Sequence, residues 1–194
     1  MVPKFYFKMS YIRKKKVAGK EYAYVVSNAW HKRKKDARQK VKGYLGRVFK
    51  AEKIPGFLFT HFLVKAGKIK EETELQDYLA KNSKGKVVKD LLLFELQSHG
   101  FSSLTPWLYA KEGLHFNLDD FGLFHKEGNK VNENIVIEMN EGFLCEKTLK
   151  KLVNFKVSGR NVDNLSYEFT KACVESGLKI PEEVFIGLFG KIYK

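Results

Sequence analysis

The chain has 194 residues, of which 44% are hydrophobic and 14% aromatic, and this composition excludes a mainly disordered protein. The formal net charge of +14 is confined to the first quarter, where residues 1–50 contain 16 Lys and Arg but only two acids, Glu21 and Asp36. The remaining residues carry equal numbers of basic and acidic side chains. Such segregation indicates a polyanionic partner for residues 1–50, the alternative being a basic tail without a fixed partner.

Three antiparallel strands are predicted in this basic segment. The stretch YIRKKKV is the first strand, which turns at residues 18–20, and KEYAYVV at residues 20–26 is the second. A longer connection, NAWHKRKKD at residues 28–36, leads to a third strand, ARQKVKGYLG at residues 37–46. Alternation of this kind is rare in disordered tails, so the segment is interpreted as a folded meander.

The third predicted strand has one cationic face. Strict alternation places Arg38, Lys40, Lys42 and Tyr44 together, opposite Gln39 and two apolar residues. Side chains two residues apart on a strand are spaced by about 6.8 Å, which is close to the spacing of phosphates along a DNA strand. A two- or three-stranded ribbon also fits the major groove of a DNA duplex.

The tyrosines of the segment allow two interpretations. Tyr22 and Tyr24 share a face with Val26, which predicts that they pack in a small core. Alternatively, their rings are exposed and stack on unpaired bases, as in proteins that bind single strands or RNA.

The predicted nucleic-acid contacts are the basic side chains of the first strand, of the connection between the second and third strands, and of the third strand. Arg38 is the predicted base reader, because an arginine can form two hydrogen bonds to one guanine. The full set comprises Arg13, Lys14, Lys15, Lys16, Lys32, Arg33, Lys34, Lys35, Arg38, Lys40 and Lys42.

Residues 10–48 resemble the amino-terminal segment of insertion-sequence transposases of the DDE type. The resemblance rests on the motifs YIR-K-K followed by G-K-x-Y-x-Y, and on RQK followed by YLG. The matching positions are Tyr11, Ile12, Arg13, Lys15, Lys16, Gly19, Lys20, Tyr22, Tyr24, Val26, Arg38, Gln39, Lys40, Tyr44, Leu45 and Gly46. It implies a DNA-engaging module. The downstream residues depart from that family, since no RNase H-like core with three metal-binding carboxylates is recognisable in them.

Residues 51–194 are predicted to form a neutral α+β domain. A loop and one apolar strand are expected within residues 52–67, helices within 70–82 and 85–101, and a β-hairpin within 121–140 that turns at residues 126–129. Three further amphipathic helices are predicted, within residues 142–155, 164–178 and 181–193. The first two helices are interpreted as core rather than as a helix-turn-helix, because the second has few bases on its outer face. The overall fold class is therefore α+β.

The one carboxylate cluster that suggests catalysis contains Asp119, Asp120 and Glu138, as in a small magnesium-dependent nuclease. A turn-capping role for the two aspartates is favoured, because the lysine expected two residues after the strand acid is missing. The histidines lack zinc spacing, although His115 and His125 on neighbouring predicted strands could approach each other. No metal or cofactor site is predicted.

The two cysteines, Cys145 and Cys173, lie in apolar surroundings and are expected to be buried thiols. Together with the absence of a signal-like or membrane-length apolar run, this predicts a cytoplasmic protein without a membrane partner. Its richness in lysine, glutamate and aromatic residues is reminiscent of archaeal or thermophilic proteins.

The sequence favours a non-catalytic nucleic-acid-binding protein, with DNA preferred. Residues 1–50 would be the basic binding segment, and residues 51–194 would offer the surface for a homodimer or a protein partner. Two alternatives stay open: a protein that binds RNA or the ribosome, and the small metal-dependent nuclease described above.

Overall fold

The computed structural model describes residues 10–31, 36–156 and 162–193. Strands and helices both contribute, which confirms the predicted α+β class. The strands are β1 (Ser10–Val17), β2 (Lys20–His31), β3 (Asp36–Lys50), β4 (Ser102–Ser103), β5 (Leu108–Lys111), β6 (Leu114–Asn117), β7 (Leu123–Glu127), β8 (Lys130–Asn132), β9 (Ile135–Met139) and β10 (Gly142–Leu144). The α-helices are α1 (Phe59–Lys65), α2 (Leu75–Lys81), α3 (Lys84–Ser98), α4 (Glu146–Val153), α5 (Val162–Glu175) and α6 (Glu182–Tyr193), and a 3₁₀ turn at Glu72–Glu74 precedes α2.

The described strands form two five-stranded sheets. The first has the order β1-β2-β3-β9-β10, and all of its neighbours are antiparallel except β3 and β9, which are parallel. The second is an antiparallel meander in the order β4-β5-β6-β7-β8. The basic segment is therefore part of a larger sheet that includes two strands from the later part of the chain.

The first basic hairpin forms as predicted. Val17 pairs with Lys20, which leaves Ala18 and Gly19 as a two-residue turn. Both have positive φ angles, 47° and 78°, as a hairpin turn that follows the strand twist requires. Glycine supplies this conformation without strain, whereas alanine adopts it at a cost.

Strand β2 is longer than predicted. The expected connection at residues 28–36 is wrong at its ends, because residues 28–31 continue β2 and Asp36 begins β3. Asn28 pairs with Gln39 and His31 with Asp36. The sequence of residues 28–36 lacks the regular alternation of apolar and polar residues on which strand prediction relies.

Two β-bulges in β3 change which side chains share a face. Val26 pairs with Val41 and Val25 with Gly43, so Lys42 is an extra residue, and Leu45 is a second one. Each bulge shifts the alternation by one position. Arg38 and Lys40 share a face as predicted, but the prediction is wrong for Tyr44, which lies on the opposite face of the sheet.

Strand β3 joins the basic segment to the rest of the chain through β9. Arg47 pairs with Ile135, and its backbone N–H donates to Asn134 O at 2.9 Å. Gly46 permits this approach, because a Cβ there would lie 2.6 Å from the carbonyl of Asn134. The boundary predicted at residue 50 thus lies at the end of a strand that pairs with residues 135–138.

The apolar stretch within residues 52–67 forms a helix, α1, and the predicted strand is wrong. Phe59 and Leu63, one helical turn apart, are both buried. A short apolar run fits a strand and a buried helix equally well by periodicity, so only packing distinguishes them.

The remaining helices lie where the sequence places them. Val88, Leu91, Leu92 and Leu96 of α3 are all buried, as expected for its inner face. Helices α2, α4, α5 and α6 overlap their predicted ranges. The hairpin turn after Glu127 is also confirmed, but β9 leaves this hairpin and pairs with β3 and β10 in the other sheet.

A buried polar cluster connects α3 with the β9–β10 turn. The Glu95 carboxylate is fully buried and accepts from Lys53 Nζ at 3.1 Å and from Asn140 Nδ2 at 2.7 Å. His99, 1% exposed, donates from Nδ1 to Glu95 O at 2.8 Å. Burial lowers the pKa of His99 below its ordinary 6.5.

The protein is expected to lose stability as the pH falls below about 6.5, because His99 is neutral when folded and takes up a proton when unfolded. The loss amounts to at most about 1.4 kcal/mol for each pH unit below that value, until the folded pKa is reached. Urea unfolding at pH 7.5 and 5.5 measures it. The variant His99→Gln should lose less than the natural protein between these pH values, and an equal loss would contradict this assignment.

Candidate nucleic-acid interface

Strands β2 and β3 continue to pair with each other beyond the described part of β1, which starts at Ser10. Strand β1 begins at Ser10, opposite Ser27, whereas β2 and β3 continue to pair from Asn28 to His31. Among the described strands, none pairs with this extension from the side. We call residues 28–31 and 36–39 the arm, and residues 32–35 connect its two strands in sequence.

The predicted contact residues fall into three groups. Lys32, Arg33, Lys34 and Lys35 lie outside the described residues. Register places Arg13 and Lys15 on the face that carries Tyr22 and Tyr24, which we call the tyrosine face. It places Lys14, Lys16, Arg38 and Lys40 on the opposite face, while Lys42 occupies a bulge. All the described members except Lys14 are exposed.

Lys14 is engaged in an ion pair. Its amine lies 2.7 Å from Glu138 Oε2 and 3.6 Å from Glu21 Oε2, and its side chain is 28% exposed. Partial burial disfavours the charged form, but the hydrogen bond and charge of Glu138, with a contribution from Glu21, raise the pKa of Lys14. This lysine therefore ties β1 to β9, a role that local sequence patterns do not reveal.

Polar side chains cover Val26 on the tyrosine face. Gln39 accepts a hydrogen bond from Arg13 Nη1 and donates one to Tyr11 Oη. Val26 lies between Tyr11 and Val41 in the register and is only 2% exposed. The Arg13 guanidinium is thus oriented by a neighbouring amide and remains at the exposed surface.

Three tyrosines cluster on this face. The ring centroid of Tyr44 lies 5.4 Å from that of Tyr24 and 6.3 Å from that of Tyr22. Tyr22 and Tyr24 are half-buried, and Tyr44 is 50% exposed. Tyr22 and Tyr24 thus pack against Tyr44, in agreement with the interpretation that they belong to a small core, while part of Tyr44 stays exposed. Burial, followed by the neighbouring Tyr24 and Tyr22, raises the pKa of Tyr44, so its phenol stays neutral.

The carboxylates considered for a nuclease have other roles. Glu138 binds Lys14, and Asp120 Oδ1 accepts from the Gly122 N–H at 2.7 Å, the turn-capping role favoured from the sequence. The Asp119 N–H donates to Asn117 Oδ1 at 2.9 Å. Within residues 10–31, 36–156 and 162–193, no three His, Cys, Asp or Glu side chains are placed to hold a metal ion.

The two histidines considered together point away from each other. His115 pairs with Phe124 and its ring stacks on that ring at 4.7 Å, whereas His125 pairs with Leu114 and contacts the Phe49 ring at 4.6 Å. They therefore lie on opposite faces of the second sheet.

The two cysteines are free, buried thiols, as predicted. Burial raises the pKa of Cys173 to about 12, so the thiol is protonated at neutral pH and is a poor nucleophile. In the part of the chain that the structure describes, no helix combines the length and the apolarity needed to cross a membrane.

Sequence reasoning did not predict the contribution of α4 to this region. Gly43 of β3 lies close to Lys147, whose Nζ would be 3.7 Å from a Cβ at that glycine. Lys147 forms no ion pair with any acid in the described residues. Lys147 follows Glu146 in the first turn of α4. Nothing in this local sequence predicts that its side chain lies close to β3.

Comparisons of the chain with known proteins found no match. No protein-family model matches the chain, and no curated protein and no solved structure matches it significantly.

Proposed function

We propose that this protein binds nucleic acid, duplex DNA in preference, through the arm and the basic strands beside it. The observation that carries the proposal is the pairing of β2 with β3 out to His31 and Asp36, because four consecutive cationic residues connect these two strands in sequence. A two-stranded ribbon has the dimensions of the DNA major groove.

The charge distribution supports this proposal. Arg38 and Lys40 lie on the same face of β3, two residues apart, and are exposed. At about 6.8 Å their spacing is close to that of successive phosphates on one strand. The resemblance of residues 10–48 to the amino-terminal segment of DDE-type transposases points to the same class of ligand.

Replacing the four cationic residues that connect the strands of the arm by uncharged ones should weaken DNA binding strongly. The test variant carries Lys32→Gln, Arg33→Gln, Lys34→Gln and Lys35→Gln. We expect its affinity for a labelled DNA duplex to fall on the order of a hundredfold at 0.1 M salt, because four phosphate contacts are lost. Fluorescence anisotropy across a salt series measures both the affinity and the number of displaced ions. The natural protein should give a slope of log affinity on log salt of about −4 to −7, and the variant should be shallower by about 3 to 4.

The matched control variant also loses four positive charges, but at lysines outside the basic segment. Lys65, Lys70, Lys81 and Lys89 are exposed on α1, α2, α3 and the intervening loop, and their replacement by glutamine should leave the affinity nearly unchanged. Substitution is preferable to deletion of residues 1–50, since the deletion would leave β9 without its neighbour β3. Equal affinities of the arm variant and the natural protein would disprove the proposal.

Competition experiments decide the class of nucleic acid. Unlabelled duplex DNA should displace the labelled duplex at lower concentrations than single strands or folded RNA do. If folded RNA competes best, the arm binds RNA, and the preference for DNA is wrong.

A further inference from the structure

A cleft of about 590 Å³ opens beside the basic sheet. It lies between β3, the turn that connects β6 with β7, and the beginning of α4. Its lining includes Tyr44, Asn117, Asp120, Glu133 and Lys147. Pockets for small ligands typically measure about 300–1,000 Å³, so the cleft can accommodate a nucleoside.

The cleft forms where β3 has no neighbour on one edge. Pairing with β9 begins only at Arg47, and in the described structure no strand pairs with that edge of β3 before it. Tyr44 lies just before this point, with half of its side chain exposed. An aromatic residue therefore lines the cleft at the border of the basic strands.

Two carboxylates, which are hydrogen-bond acceptors, also line the cleft. Asp120 uses one carboxylate oxygen for Gly122, and Glu133 is exposed and makes no ion pair with a described residue. Lys147 also lines the cleft, and its amine, a group that can bind phosphate, lies near Gly43 of β3. Ionised carboxylates accept hydrogen bonds only, so they suit a base edge that donates and repel a phosphate.

The turn that presents Asp120 is held in a strained conformation. Phe121 is buried and has a φ of 62°, a value that is unusual for a bulky side chain. Its ring lies 6.5 Å from that of Phe116 in the core, so packing keeps the turn in place. The carboxylate of the preceding residue is consequently fixed at the cleft.

We propose that this cleft holds one unpaired guanine of the bound nucleic acid, stacked on Tyr44, with its donor edge toward Asp120 and its phosphate at Lys147. Guanine fits best because its N1–H and N2–H₂ groups form two adjacent donors. This inference rests on the proposed function and extends it: the arm binds the duplex, and the cleft selects a site with an extruded base.

The test compares a duplex that has a single unpaired dG with the same duplex fully paired, by fluorescence anisotropy. The natural protein should bind the bulged duplex about tenfold more tightly or better, because one stacked base contributes that much. Tyr44→Ala should reduce the ratio of the affinities for the bulged and the paired duplex to about one, and Tyr44→Phe, which keeps the ring, should keep this ratio high. Asp120→Asn keeps the oxygen that accepts from Gly122. Its affinity for the duplex with an unpaired dG should fall to the affinity for the same duplex with an unpaired dT.

The outcomes separate the two proposals. Equal binding of bulged and paired duplexes by the natural protein would overturn the role of the cleft and leave the arm's function intact. An advantage that persists in Tyr44→Ala would likewise overturn it. If neither duplex binds in a salt-dependent manner, both proposals are wrong.

Discussion

Replacement of Gly142 by alanine is expected to destabilise the protein by about 3 kcal/mol or more, because the site has no room for a methyl group. A Cβ there would lie 2.0 Å from the Val174 carbonyl oxygen and 2.4 Å from the Gly177 nitrogen. Both are backbone atoms, so no side chain can move aside. Strand β10 and the end of α5 would have to separate.

The effect is large relative to the total stability of a domain, which is about 5–15 kcal/mol. Chemical denaturation followed by circular dichroism gives the free energy of unfolding. Gly190→Ala is the matched control, since a Cβ at that position of α6 meets nothing within 4 Å. It should stabilise the protein by up to about 1 kcal/mol, because alanine favours a helix interior more than glycine does. Similar effects of the two substitutions would contradict this packing.

Replacement of Asp90 by alanine should cost about 1–3 kcal/mol, because it leaves the buried hydroxyl of Tyr78 without its hydrogen-bond acceptor. Asp90 is 1% exposed in α3 and binds Lys68 and, at 3.1 Å, Lys86. Its second oxygen accepts from Tyr78 Oη at 2.5 Å. Burial, followed by the hydrogen bond to Asp90, raises the pKa of Tyr78, so the phenol stays protonated and donates.

Two variants separate the loss of charge from the loss of packing. Asp90→Asn retains an oxygen that can accept from Tyr78 but loses the attraction of the two lysines, so its cost should lie between zero and that of Asp90→Ala. Asp77→Ala removes an exposed acid from the first turn of α2 and should cost no more than about 1 kcal/mol. Denaturation midpoints of the three variants measure these differences. An Asp90→Ala variant as stable as Asp77→Ala would show that the buried pair adds nothing.

These two sites connect parts of the chain that the sequence pattern describes separately. The periodicity of residues 85–101 predicts a helix and its inner face, and the structure confirms both. It does not reveal that Asp90, in the midst of apolar neighbours, would be the common partner of residues from α2 and from the loop before it. Hydrogen bonds between segments that are distant in the sequence cannot be predicted from a local sequence pattern.

The amino-acid sequence by itself determined the class of the fold, the hairpin at Ala18 and Gly19, and most helices. These features depend on periodicity, turn residues and helix-terminal charges over a few neighbouring positions. It also determined that the positive charge is concentrated in residues 1–50, which motivates the proposed function.

Only the tertiary structure decided which side chains of the basic strands share a face and which strands pair with them. The bulges at Lys42 and Leu45 separate Tyr44 from Arg38 and Lys40, and Lys14 forms an ion pair with Glu138 of β9. The cleft beside Tyr44 likewise requires residues more than seventy positions away in the sequence. Strand register and long-range pairing follow from the packing of the whole chain, because a shift of one residue reverses every side chain of a strand and changes no local preference.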